Sequence, residues 1–262
     1  MKITRKFAGA VLLATAIATP SYLALHYRAR ARVADFDGDL SNEIVRRDAG
    51  LAIIGPLDPK RAALAVRDYI YRTYRLEPER LPNASPAMRY ASLSSPDGTM
   101  FCGGAGVAYV WALQAIGIPA RFIQLAGDDF LDGIDGFDTH VTVEAFLDGA
   151  WQISDPTYNV SVACSTDPAK PIATPEARAC IKDGHSLVLT PGKTQIAEKT
   201  KWGSKIADPK VYQRYFSAYT RGKVSSPIRS ERVDTFPQDW YETAVKLAAD
   251  CGVQLGLNMQ CQ

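Results

Sequence analysis

Phe101-Cys-Gly-Gly-Ala-Gly106 leads into the apolar run Val107–Ile116. Gly117 suits the left-handed position after a helix and Pro119 cannot continue one, so the run predicts a helix that stops there. Cys102 then lies at or just before the helix N-terminus. Unpaired backbone N–H groups and the positive end of the helix dipole favour a thiolate at that place. Gly103 and Gly104 carry no Cβ, so a substrate carbonyl could come close to the backbone. An attacking sulfur with an oxyanion site beside it needs that arrangement.

The next blocks supply partners by register. His140-Val-Thr-Val-Glu-Ala-Phe-Leu147 and Ala150-Trp-Gln-Ile-Ser-Asp155 are strand-like and are separated by Asp148-Gly149, a strong hairpin signal. A two-residue loop sets Leu147 opposite Ala150 and Thr142 opposite Asp155. His140, Thr142 and Glu144 then share a face with Asp155, Ile153 and Trp151. His140 and Asp155 become diagonal neighbours with Cβ atoms roughly 7 Å apart, within reach of a ring N–H···carboxylate bond. A three-residue loop would put Asp155 on the other face. The two-residue reading gives a nucleophile, a base and an orienting carboxylate in the order Cys102, His140, Asp155.

Cys102-Gly-Gly-Ala-Gly, Ala112-Leu-Gln-Ala-Ile-Gly-Ile-Pro-Ala-Arg121, His140-Val-Thr-Val-Glu144 and Asp148-Gly-Ala-Trp-Gln-Ile-Ser-Asp-Pro-Thr157 together resemble the transglutaminase-like superfamily. The resemblance implies an α+β, papain-like core in which a Cys-bearing helix packs on an antiparallel sheet carrying His and Asp. By position it makes Cys102 the nucleophile, His140 the general base and then acid, and Asp155 the group that orients the imidazole. One departure bears on the chemistry. The crosslinking transglutaminases place a Trp upstream of the Cys, to support the oxyanion and wall off water, whereas the first Trp here is Trp111.

Outward from this block the signals weaken. The chain has 262 residues, 47% hydrophobic and 22% charged, with a net charge of +2, a balance that argues against disorder and against a nucleic-acid partner. Lys2, Arg5 and Lys6 precede an uncharged run from Phe7 to Leu25, which reads as an export signal with Ala16-Ile-Ala18 as a cleavage site. The same run is long enough to anchor the chain in a membrane, so the cleaved and anchored readings both stand.

Five cysteines leave one unpaired. The expected assignment is Cys164–Cys180 around a Pro-rich loop, Cys251–Cys261 in the tail, and Cys102 free, which suits an oxidising compartment. Closing the Cys164–Cys180 loop is worth about 3 kcal/mol on the chain-entropy model. No Cys-x-x-Cys or His-rich spacing suggests a metal, and no cofactor is expected. Asp35-Phe-Asp-Gly-Asp39 fails as a calcium loop at Leu40 and Arg46 and reads as a solvated linker.

Pro59–Tyr74 reads as a packing helix capped by Asp58, with Ala62, Val66, Tyr69, Ile70 and Thr73 on one stripe. The proline-bearing stretch Glu77–Gly98 reads as a loop leading to the cleft, with the Tyr90 hydroxyl as an oxyanion candidate. Gly127–Asp138 holds five carboxylates among glycines. A solvated loop is the plain reading, with a cation site or a lip for cationic substrates as the alternatives. Lys193–Arg232 carries ten Lys/Arg against three Asp/Glu; a solvated surface is the plain reading, and a face for anionic lipid or polymer is the alternative. Asp208–Tyr219 and Gln238–Ala249 look helical. His185 is the rival histidine, without a carboxylate in hairpin register.

The sequence therefore predicts three segments: 1–34 as signal or anchor plus basic linker, 35–160 as a transglutaminase-like core, and 161–262 as an extension packed on it. The expected protein is a periplasmic or extracellular cysteine peptidase or amidase acting on a peptide or amide-bearing substrate. In the anchored reading, residues 7–25 also hold it in the inner membrane. The alternatives are an acyltransferase that crosslinks an envelope component and a non-catalytic binding or scaffold domain.

Overall fold

The computed structural model describes residues 38–81, 84–127, 129, 138–197, 199–201, 203–220 and 228–230. In chain order these form helices α1 (Gly38–Asp48), α2 (Pro59–Thr73), α3 (Pro86–Ser92), α4 (Cys102–Ala115), α5 (Thr174–Lys182) and α6 (Pro209–Thr220). The strands are β1 (Arg75–Leu76), β2 (Thr99–Met100), β3 (Ala120–Ala126), β4 (Thr139–Leu147), β5 (Ala150–Asp155), β6 (Val160–Cys164), β7 (Asp167–Pro171), β8 (Leu187–Pro191), β9 (Lys199–Thr200), β10 (Gly203–Ser204) and β11 (Ile228–Ser230). β1 and β2 form a small parallel pair, and β9 and β10 an antiparallel one. The main sheet is antiparallel, in the order β11-β3-β4-β5-β6-β7, with β8 also paired to β6.

The alternation of β4 separates two cores. Val141, Val143, Ala145 and Leu147 face a cluster built with residues of α1, α2 and α4. On the opposite side, Ile123, Leu125 and Ile153 join Ala177 of α5 and Tyr212 and Phe216 of α6. Helix α4 is buried along most of its length, which is why its sequence is apolar all round and not striped. Gly106 lets it lie flat on β4, since a Cβ there would come within 2.9 Å of Val141 Cγ1. The helix ends as its sequence predicts: Gly117 has φ 82°, and Ile118 N–H reaches back to the Leu113 carbonyl at 2.9 Å.

Helix α2 begins as expected, with the Asp58 carboxylate accepting from Arg61 N–H at 3.0 Å and Pro59 in the first turn. Its buried face is Ala62, Ala63, Val66, Arg67, Ile70 and Tyr71, a stripe rotated from the expected one by an arginine that the sequence did not mark. Arg67 donates to Asn159 Oδ1 at 2.9 Å, the Val160 carbonyl at 2.8 Å, Ser161 Oγ at 2.8 Å and Ser154 Oγ at 3.2 Å. It thereby ties α2 to the β5–β6 turn. Burial lowers its pKa, and the nearby Tyr109 and Asp155 act against that.

Several local expectations need correction. The stretch Glu77–Gly98 is not all loop, because Ser85 caps α3 and Pro86 opens it. Cys164 and Cys180 bracket β7 and most of α5, not a proline-rich loop, and their disulfide forms with Cα atoms 5.9 Å apart. Gly38 and Asp39 belong to α1, whose Val45 is fully buried, so that part of the expected linker is helix. Cys251–Cys261 and Gln238–Ala249 lie outside the described residues. So does the run 7–25, and no helix among the described residues is long and apolar enough to cross a membrane.

Candidate active site

Three elements converge where α4 and β4 begin and β5 ends. Cys102 is the first residue of α4 and is half-buried, and among the described residues it is the free cysteine. Phe101, in the N-cap position, gives no side-chain capping bond. The N–H of Ala105 is the first to bond within the helix, to the Phe101 carbonyl at 3.0 Å. The N–H groups of the preceding turn thus remain orphan donors at the positive end of the dipole, the arrangement that receives an anion.

His140 is the second residue of β4 and Asp155 the last of β5. Asp148 and Gly149, at φ 53° and 80°, form the two-residue turn between the strands, and Leu147 pairs with Ala150. The expected Thr142–Asp155 backbone pair does not form. The β4–β5 ladder stops at Glu144–Ile153, and the next two residues of β5, Ser154 and Asp155, pair with Ser161 and Val160 of β6. The side chains still share a face, and His140 Nε2 meets Asp155 Oδ2 at 2.5 Å with both residues buried.

Asp155 is held on every side. Its Oδ1 accepts from the N–H groups of Thr157 at 2.7 Å and Tyr158 at 3.2 Å. Its Oδ2 accepts from the Tyr212 hydroxyl at 3.2 Å as well as facing His140. Aromatic rings enclose the imidazole, with centroids 4.9 Å away for Tyr158, 5.6 Å for the stacked Tyr215 and 5.8 Å for the edge-on Tyr212.

The electrostatics follow from these contacts. Burial alone would lower the imidazole pKa. The Asp155 charge and hydrogen bond, with smaller help from Cys102, outweigh it and raise His140 to about 10. Burial pushes the Cys102 thiol up. Its hydrogen bond to His140, the imidazolium charge and the Val141 backbone more than offset that, so the thiol lies below its ordinary 9.0. With Nε2 turned to Asp155, Nδ1 is left for the sulfur. Both shifts act in the same sense, favouring the thiolate and the imidazolium over the neutral pair.

Other candidates fall elsewhere. Tyr90 is buried against Trp111 and Tyr69, at 5.2 and 5.9 Å between centroids, with no hydrogen-bond partner for its hydroxyl. It serves the core and not an oxyanion. His185 is exposed in the turn after α5, where its N–H bonds to the Cys180 carbonyl. Of the Asp-rich loop, Asp138 pairs with Arg214 of α6 at 2.5 Å and accepts from Asp129 N–H at 3.1 Å; Asp128, Asp132 and Asp135 lie outside the described residues. A cavity of about 1140 Å³ lies away from this chemistry, between α2 and strands β5–β8, and neither Cys102 nor His140 lines it.

Sequence reasoning missed the tyrosines. Tyr212, Tyr215 and Phe216 at i, i+3 and i+4 are a legible buried face on α6. Nothing in that spacing says that the face closes over a histidine.

A free cysteine at a helix N-terminus, set against histidine and aspartate on an antiparallel sheet, defines a papain-like α+β domain. Residues 51–156 match the family model of the transglutaminase-like superfamily, which identifies this stretch as a transglutaminase-like domain. Its members are generally cysteine-dependent enzymes. No curated protein and no solved structure matches the chain. The Cys164–Cys180 disulfide points to a non-reducing, exported environment.

Proposed function

We propose that this protein is a cysteine hydrolase of amide or ester bonds, with Cys102 as nucleophile, His140 as acid and base, and Asp155 as the group that orients the imidazole. The observation that carries the reading is the buried His140–Asp155 pair beside a free thiol whose pKa is lowered at an uncapped helix N-terminus.

The Cys102 thiolate attacks the carbonyl carbon, and the carbonyl oxygen takes up the negative charge against the first-turn N–H groups of α4. The tetrahedral intermediate collapses as His140 gives its proton to the leaving amine or alcohol, leaving a thioester on Cys102. Water then attacks the thioester, giving its proton to His140. The carboxylic acid leaves, and the thiolate–imidazolium pair is restored. Water is the favoured acceptor because no Trp precedes Cys102 in the chain to keep it out. The basic start and the apolar run 7–25 support placement in the periplasm or outside the cell.

The test has two stages. Incubation with an envelope extract, followed by mass spectrometry of the peptide carrying Cys102, should trap the acyl-enzyme. A primary amine at millimolar concentration is then offered alongside the acyl substrate. Carboxylic acid as the main product supports hydrolysis; a dominant amide product replaces it with acyl transfer. A Cys102 that alkylates no faster than an ordinary thiol removes the enzymatic reading.

A further inference from the structure

Tyr212 lies beyond the matched residues 51–156, on a helix that the core match does not reach, and its side chain enters the site from the far face of the sheet. Its hydroxyl is 3.2 Å from Asp155 Oδ2 and 3.3 Å from Thr142 Oγ1. One hydroxyl hydrogen serves one acceptor. The carboxylate is the stronger acceptor, and Thr142 can donate in return. We propose that Tyr212 is a positioning residue for the Cys102–His140–Asp155 site: its hydroxyl shares Asp155 Oδ2 with His140 Nε2 and so sets both the direction and the strength of the carboxylate's hold on the imidazole. This rests on the cysteine-enzyme reading, and it adds a fourth side chain that the matched region cannot supply.

Three observations fit the role. Burial and the neighbouring Asp155 charge hold the Tyr212 phenol well above its ordinary pKa, so it remains a donor throughout the working range. Asp155 Oδ1 is already fixed by two backbone N–H groups, so Oδ2 is the oxygen through which a side chain can tune the histidine. The other charged groups in range of Asp155 do not occupy that oxygen. Arg67 is engaged by Asn159, Ser154, Ser161 and the Val160 carbonyl, and the Tyr74 hydroxyl donates to the Thr157 carbonyl at 3.2 Å. Tyr158 touches the site through its ring and its backbone N–H, and the Asp138–Arg214 pair sits farther along, beside Tyr215.

A donor on Oδ2 draws off part of the carboxylate's negative charge and leaves less for the imidazolium. Removing it should make His140 harder to deprotonate and therefore a weaker acid toward the leaving group. A ring that merely filled space would leave that titration where it is.

The experiment uses the full chain, with its histidines labelled with ¹⁵N, and follows His140 by NMR as pH is raised. Tyr212→Phe should shift the His140 titration upward by about one unit, the scale of one lost hydrogen bond to a charged group. Fluorination of Tyr212 at ring position 3, which makes the phenol a better donor at almost unchanged size, should shift it downward by a few tenths of a unit. The fluorinated protein also carries the test if Tyr212→Phe does not fold. No movement in either protein, or a downward shift in Tyr212→Phe, overturns the proposal. Iodoacetamide alkylation of Cys102 in the unaltered protein separates the two readings. Slow alkylation with a Tyr212-dependent His140 sinks the enzyme and keeps the contact. Fast alkylation with a Tyr212-independent His140 does the reverse.

Discussion

The two ends of the β4–β5 hairpin each bury a carboxylate, and they use it differently. Toward the turn, Glu144 is fully buried, and its Oε2 takes Arg121 Nε at 2.8 Å and a second guanidinium nitrogen at 2.7 Å. Its Oε1 takes the Thr174 N–H at 2.7 Å and the Thr174 hydroxyl, which docks the start of α5 onto the sheet. Arg121 in turn lies 4.0 Å over the Trp151 ring. At the open end Asp155 is equally buried, but its cationic partner is an imidazole. A guanidinium does not exchange its proton in a protein, so the first pair can only hold parts together. His140 can give its proton away and take it back, so the second pair can take part in a reaction.

The largest expected effect breaks the open end alone. Cys102→Ala should lower turnover by about 10⁴-fold or more while the melting temperature moves little, since a half-buried thiol is exchanged for a methyl. Activity surviving in that variant would remove Cys102 from the chemistry. The turn end should behave in the opposite sense. Glu144→Gln leaves a guanidinium without its carboxylate and α5 without its anionic anchor, for an expected loss of about 3 kcal/mol in urea denaturation. The alkylation profile of Cys102 in the protein that remains folded should not change; if it does, the two ends are coupled and the contrast fails.

A smaller effect sharpens the open end. His140→Ala removes the imidazolium that lowers the thiol, so alkylation by iodoacetamide at pH 6 should slow. The loss of thiolate is partly offset because a more basic thiolate is more nucleophilic, and a net decrease of about tenfold is expected. An unchanged rate at pH 6 would mean that the helix terminus alone activates the sulfur.

How much of this was legible follows the same division. Patterns that are local in the chain could be read: the stop of α4 at Gly117, the cap at Asp58, the turn at Asp148-Gly149 and the resulting face shared by His140 and Asp155. The residues that secure the site from a distance could not. Arg67 reaches Asn159 across 92 positions and Tyr212 reaches Asp155 across 57, and no periodicity encodes a contact between elements so far apart. The failed Thr142–Asp155 pair lies between these cases. Its register extrapolates correctly from the turn, but the ladder ends at Glu144–Ile153, and how far two strands stay paired beyond a turn is not written in the alternation of their side chains. Tyr90 was misplaced because a tyrosine in a proline-bearing stretch looks available, whereas Ser85 and Pro86 start a helix that carries it into the core.

The last expected outcome is a pH dependence of stability, visible once the thiol is removed. His140 has a folded pKa of about 10 against an ordinary 6.5, and burial, which acts to lower it, is outweighed by Asp155. A raised pKa contributes stability that is complete below the unfolded value and is lost as pH rises through the folded one. Cys102 acts in the other direction. Its lowered pKa contributes stability that is present above its ordinary 9.0 and lost as pH falls through the folded value. The two trends overlap and partly cancel in the unaltered protein. In Cys102→Ala the histidine trend stands alone, and its folded pKa is somewhat lower because the help from the sulfur is gone. Stability in urea should therefore fall as pH rises from about 6.5 toward a limit below about 10, by about 1.4 kcal/mol for each unit by which His140 remains raised. Adding Asp155→Asn to that variant should flatten the slope. Parallel slopes in the single and double variants would show that Asp155 does not hold the imidazolium, and the contrast between the two ends of the hairpin would have to be withdrawn.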